Sequence, residues 1–221
     1  VIDIRARLSF SKPMGTEEFL KWVIGQFISH PDSLSVVGQN FSHCLHISIT
    51  CHPADMPKVI GGRAKMIKAL EVLAWHSGKI AGHQATLHVT EPIFDLPGRV
   101  EPTPFRQDPD WNSKKDNEML LTLGHIGCHI GLPGIPFLQS SDSLRTNFKI
   151  VMTSNPGIAI LSAVNTVIRA IGSARGRKIT IHATYPGGTI SVDTIRAAVA
   201  VAGEVRTVGQ EVSRRPNGWG R

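Results

Sequence analysis

"MPKVIGGRAKMIKALEVLAWH", residues 56–76, sets two adjacent glycines between two apolar helical patterns. A glycine inside a helical run costs about 1 kcal/mol relative to alanine, so an interruption there needs a reason. Lys58, Arg63 and Lys65 flank the pair, which points to a backbone exposed for contact. After the glycines, Met66, Ile67, Leu70, Leu73 and Ala74 recur at helical spacing.

Upstream, "TEEFLKWVIGQFIS" offers Thr16 as N-cap, two acids in the first turn, and Phe19, Leu20, Val23, Ile24 and Phe27 on one face. "HPDS" breaks that helix. "LSVV" and "HCLHISITC" read as strands joined by a turn at "GQN", and "HPADMPKVI" begins a short helix leading to the glycines. Downstream, "GKIAGH" is a turn and "QATLHVTE" a strand, with Ala85, Leu87 and Val89 alternating with polar neighbours. The order is helix, strand, strand, short helix, glycine loop, helix, strand, which makes one small α+β unit.

The pattern recurs. "DNEMLLTLGHIGCHI" matches the first helix, "NFKIVMT" the long strand, "NPGIAILS" the short helix, "AVNTVIRAIGSA" the long helix and "RKITIHAT" the last strand. "MIKAL" against "VIRAI" and "ATLHVT" against "KITIHAT" are the clearest anchors, and duplication accounts for them. Between the copies, "PIFDLPGRVEPTPFRQDPDWNSKKDN" is proline-rich and aperiodic, as a linker or surface-packed connection is.

The division expected is a loop-bearing unit over 1–92, a linker over 93–115, a second unit over 116–186, and a C-terminal helix and tail over 187–221. "VIDIRARLSF" alternates like a strand rather than a signal peptide. "SVDTIRAAVAVAGEV" places Ile195, Ala198, Val199 and Ala202 on one helical face, whereas "SRRPNGWGR" has no core-forming pattern.

Composition is that of an ordinary globular chain: 221 residues, 41% hydrophobic and 19% charged. Lys and Arg outnumber Asp and Glu by 24 to 17, a net charge of +7 that favours polyanions. Three cysteines without CxxC spacing indicate neither a disulfide framework nor a zinc ribbon, so a reducing compartment is expected. "LLTLGHIGCHIGLPGIPFL" is broken by histidines, glycines and prolines, which argues for a buried helix and turn rather than a membrane span.

The first copy resembles a type II KH domain, specifically the small bacterial KH RNA-binding proteins. The residues that carry the resemblance are "TEEFLKWVIGQFISHPDSLSV", "ISITCHPADMPKVIGGRAKMIKAL" and "ATLHVTE". The resemblance implies an α+β fold of two tandem KH-like units and a GXXG loop that clamps the backbone of a single-stranded segment, with Gly61, Gly62, Arg63 and Ala64 in the loop positions. The residue chemistry agrees: glycine lets a phosphate approach the backbone, and N–H groups at the next helix's start favour an anion. The expected RNA-binding residues are Lys58, Ile60, Gly61, Gly62, Arg63, Ala64, Lys65 and Lys68, with bases lying in the adjacent apolar groove.

Ala64 departs from the pattern. A positive φ there would cost alanine about 1 kcal/mol, whereas a place as the first helical residue would favour it. "AKMIKALEVLA" is helical from its first residue, which supports the second outcome. The second copy has Ser162, Ala163, Val164 and Asn165 at the loop positions, a degenerate form without paired glycine or base. Arg175, Arg177 and Lys178 in "ARGRK" form an accessory basic cluster for phosphates.

Each of these readings has a plainer counterpart. Gly61 and Gly62 could simply cap a helix, and Lys68 sits three residues before Glu71, the spacing of an ordinary ion pair. In the strand, Cys51 falls on the core face and His46 on the other, so one zinc shell cannot use both. His125 and His129 lie a helical turn apart without a HExxH arrangement, and no GxSxG or cysteine-nucleophile context is present. Trp22 and Trp75 read as core residues, Trp111 and Trp219 as docking contacts.

The reading is therefore non-catalytic binding of single-stranded RNA, without cofactor, metal or membrane, in a cytoplasm or organellar matrix. The alternative is an assembly protein whose KH-like units bind protein partners or a second copy of the chain.

Overall fold

The computed structural model describes residues 14–42, 44–90 and 105–190. The expected N-terminal strand over 1–10, the helix and tail beyond 190, and most of the linker lie outside them.

The first unit comprises α1 (Thr16–Gly25), β1 (Ser35–Phe41), β2 (Cys44–Thr50), α2 (Met56–Ile60), α3 (Lys65–Ile80) and β3 (Gln84–Val89). β1 and β2 pair antiparallel, β2 and β3 parallel, so the sheet order is β1-β2-β3. Parallel pairing demands a crossover, and α2 and α3 provide it.

The "GQN" turn is not formed. Gly38, Gln39 and Asn40 continue β1 opposite Ile47, His46 and Leu45, and the chain reverses at Ser42, whose φ is 55°. Gly38 serves close approach instead, since a Cβ there would fall 1.7 Å from Glu17 Oε1 in the first turn of α1. Thr16 is not the cap either. Gly15 occupies the cap position, and Thr16 is buried, accepting a hydrogen bond from Ser77 Oγ of α3 at 3.2 Å.

The second unit comprises α4 (Ser113–His129), β4 (Gly134–Ser141), β5 (Arg145–Met152), α5 (Ile158–Ala174), β6 (Lys178–Tyr185) and β7 (Gly188–Ile190). Its sheet order is β4-β5-β6-β7, with β5 and β6 parallel and the outer pairs antiparallel. Three boundaries differ from expectation. α4 begins at Ser113, inside the expected linker, because Asn112 Oδ1 accepts the Lys114 and Lys115 N–H groups. β4 is a strand the pattern hid, with Pro136 tolerated on a sheet edge. Residues 188–190 form β7, within the stretch set apart for the C-terminal helix and tail.

The larger correction lies in the crossover. Two helices with a degenerate loop were expected, but α5 runs unbroken through Ser162, Ala163, Val164 and Asn165. Without glycine nothing stops the helix there, and Ala163, Val164 and Asn165 are all buried.

In each unit one sheet face is covered by helices. Phe19, Leu20, Val23, Leu70 and Leu73 bury against Leu45, Ile47 and Leu87; Met119, Leu123, Val164 and Ile168 bury against Phe148, Ile150 and Ile181. The units meet chiefly helix on helix, α3 against α5, within one continuous buried cluster. Phe19 stacks on His129 with centroids 4.9 Å apart, and Trp22 lies 4.4 Å from His125. Arg175 Nη2 donates to Gln26 Oε1 across the same boundary. Among the described residues no helix is long and apolar enough to cross a membrane.

Candidate functional site

α2 ends at Ile60, and the Gly61 N–H caps it by donating to Pro57 O at 2.9 Å. Gly61 then takes φ 72° and ψ 161°, open to glycine alone, and an added Cβ would lie 2.7 Å from Met66 Cβ. Gly62 is different. It faces open space, with nothing within 4 Å of an added Cβ. The fold requires the first glycine, and the second leaves the loop's outer surface bare.

The next two residues are both left-handed, Arg63 at φ 55°, ψ 36° and Ala64 at φ 57°, ψ 25°. This overturns the placement of Ala64 as a helical residue. The helical pattern of "AKMIKALEVLA" begins one residue later, because the chain must reverse to run from α2 into α3, and the Ala64 N–H closes the turn on Gly61 O at 3.1 Å. A non-glycine residue in this region costs about 1–2 kcal/mol. α3 follows with no side-chain cap, and the N–H of its first residue, Lys65, donates to Gly62 O within the turn.

Gly61, Gly62, Arg63, Lys65 and Met66 line a cleft of about 390 Å³ whose remaining lining residue, Thr166, comes from α5. Arg63, Lys65 and Lys68 are exposed, Ile60 half-buried beside them. Lys68 makes no ion pair with Glu71; the ion pairs among the described residues include His30–Asp55, Lys58–Asp55 and Lys115–Asp108.

Lys58 has a different task from the one expected. Its ammonium donates to Asp55 Oδ1 at 2.8 Å and to Ser29 Oγ. Asp55 is fully buried and also accepts the Ser29 N–H at 2.9 Å, the His30 N–H at 2.8 Å and His30 Nδ1 at 2.9 Å. Burial pushes its carboxyl up, but Lys58 and these donors outweigh it and hold Asp55 well below the usual carboxylate range. The cluster fastens the start of α2, and thus the loop, to the segment after α1. Sequence reading passed over Asp55; its place in the turn before Met56 and Pro57 marked a helix start, but nothing local named Ser29 and His30 as its donors.

The accessory cluster is dispersed. Arg177 is 2% exposed; its guanidinium donates to Thr146 Oγ1 and Ser141 Oγ, each at 2.9 Å, to Arg145 O at 3.0 Å and to Asp142 O, and it lies 5.3 Å from the Trp111 ring centroid. It is a core residue that cannot reach a phosphate. Arg175 is engaged with Gln26 and Met119, so of the three only Lys178 is exposed. Trp111 is half-buried and donates to Asp116 Oδ1 at 2.8 Å, while Trp75, read as core, is 44% exposed.

Cys51 is buried and His46 sits on the opposite face against Thr86, as the alternation indicated. Another cavity, about 710 Å³, lies beside Phe41, Trp75 and Lys79 at the other end of α3, away from the loop. Among the described residues no group of His, Cys, Asp or Glu is arranged to hold a metal ion.

The RNA-binding protein KhpA of Halalkalibacterium halodurans is 40% identical to this chain over 48 residues. This chain is a distant, partial homologue of that small bacterial KH-type protein. The overlap is 22% of this chain and spans 63% of the curated relative's length, so it is shorter than either unit described above. No family model matches the chain, and no solved structure does. At a coarse level the two similar helix-and-strand units are consistent with a KH-like repeat architecture.

Proposed function

We propose that the chain binds single-stranded RNA without catalysis, the loop from Gly61 to Ala64 holding backbone phosphate while unpaired bases lie in the adjacent groove past Ile60. One observation carries this reading: Gly62 faces open space in a left-handed turn directly before a 16-residue helix without a side-chain cap, with Arg63 and Lys65 exposed beside it. A helix N-terminus and two cations at one bare surface suit a phosphate. The partial likeness to a protein named for RNA binding supports the same class of partner. Lys68 extends the cationic track along α3, Gly62 admits the backbone closely, and Lys58 contributes by anchoring α2.

Short single-stranded RNAs titrated into the parent chain and a Gly62→Asp variant at two salt concentrations test the proposal. Affinity should fall with salt, because neutralised phosphates release counterions, and the aspartate should abolish it. Salt-dependent binding that survives the aspartate would move the site elsewhere.

A second reading, an assembly protein using its units as protein interfaces, draws on the second sheet. Ile135 and Val151 are register partners in adjacent strands there, 44% and 47% exposed. Binding of neither RNA nor DNA by the folded parent would favour it.

A further inference from the structure

The cleft at the loop has two walls from two different units. One is the loop itself and the start of α3; the other is α5, which reaches the cleft with Thr166. α5 is continuous through the positions where a second loop was sought, and its packing on α3 fixes that wall.

The chemistry of the walls differs. The charged side chains of the loop side, Arg63 and Lys65, can only donate. On the other side the Thr166 hydroxyl donates its single proton to Ser162 O at 2.8 Å. A hydroxyl so engaged retains only lone pairs for anything else, and Thr166 carries the one side-chain oxygen among the described residues lining the cleft. A phosphate, which offers acceptors, is matched by the loop and not by Thr166. A ribose 2′-hydroxyl is the part of an RNA backbone that can donate, and it is absent from DNA.

We propose that the second unit completes the loop cleft, with Thr166 selecting RNA over DNA by accepting a hydrogen bond from a ribose 2′-hydroxyl. This rests on the reading of the loop as a clamp for single-stranded RNA. It gives the loopless repeat a place in recognition, and it makes the sugar, rather than the base, the feature that α5 reads.

Short single-stranded oligonucleotides of matched sequence carrying 2′-hydroxyl, 2′-hydrogen or 2′-fluoro sugars test it against the parent chain, Thr166→Val and Gly62→Asp. Fluorine cannot donate, so the parent should bind the hydroxyl form over both others by about twofold to tenfold, the worth of one hydrogen bond. Thr166→Val, matched in shape, should erase that difference by bringing the hydroxyl form down to the affinity of the hydrogen form; Thr166→Ser should keep it. A sugar preference that survives Thr166→Val, or equal binding of the 2′-fluoro form, would overturn the inference while RNA binding lost to Gly62→Asp left the clamp standing. RNA binding absent from the parent would overturn both.

Discussion

Lys58 and the fully buried Asp55 form an ion pair at 2.8 Å, one helical turn apart, with Ser29 and His30 completing the shell around the carboxylate. Removing one partner of such a pair costs far more than the pair contributes, because the other is left uncompensated. Asp55→Asn should lose about 3 kcal/mol of unfolding free energy, more than Lys58→Met, which leaves Asp55 three other donors. Denaturant titration checks the order, and a larger loss from Lys58→Met would contradict it.

The same carboxylate sets an acid limit. Its folded pKa lies below its unfolded one, so its contribution is complete above about pH 4 and disappears as pH falls through the lowered value. Asp55→Asn should therefore flatten the acid side of the stability profile, read by thermal midpoints across pH.

The loop's glycines should separate by position. Gly61→Ala forces a Cβ against Met66 and should cost about 2–3 kcal/mol, whereas Gly62→Ala, in open space, should stay within about 0.5 kcal/mol. Ala64→Gly relieves a left-handed alanine at some cost in unfolded-chain entropy, for a net gain of up to about 1 kcal/mol. If Ala64→Gly destabilised the protein, the left-handed assignment would be wrong.

His125 and His129 stack between the units, 4.9 Å apart and against Trp22 and Phe19. Burial lowers both pKa values, with His129 adding to the shift at His125, and burial lowers His76 likewise. The unfolded chain thus binds more protons as pH drops below about 6.5, so stability declines with acidification in that range. A His125→Gln, His129→Gln double variant should show a shallower decline; an unchanged slope would place the effect at His76.

Arg177→Lys should destabilise by about 2 kcal/mol or more, since a lysine cannot reproduce the guanidinium's fork to Thr146, Ser141 and the backbone carbonyls. Lys178→Ala, on the exposed neighbour, should change stability little. Equal effects would argue against the buried network.

Much of the first unit was legible because period and punctuation agree there: Phe19 to Phe27 and Met66 to Ala74 keep helical spacing, and Leu45 to Cys51 alternate. The errors fall where a residue's role depends on distant partners. Gly38 looked like a turn because Glu17 was not in view, Arg177 looked like surface because its acceptors lie more than thirty residues away, and Ala64 hid its backbone angle behind good helix propensity. In the second unit no glycine marks a break at Ser162 to Asn165, and duplication imposed one that the residues themselves do not encode. Thr166 carried no signal, because its relation to the loop exists only once α5 packs on α3.

The parallel pairs bear on how the chain is made. β3 joins β2 in register from Cys44 with Gln84, and β6 joins β5 from Arg145 with Lys178, so each parallel pair can close only once the residues of its crossover helix have been synthesised. On the ribosome every strand of the first sheet is translated before α5, so the face of α3 that α5 covers lacks its partner until residues 158–174 are made. The loop-bearing half is therefore made before the helix that covers it, and synthesis of the second half supplies that cover.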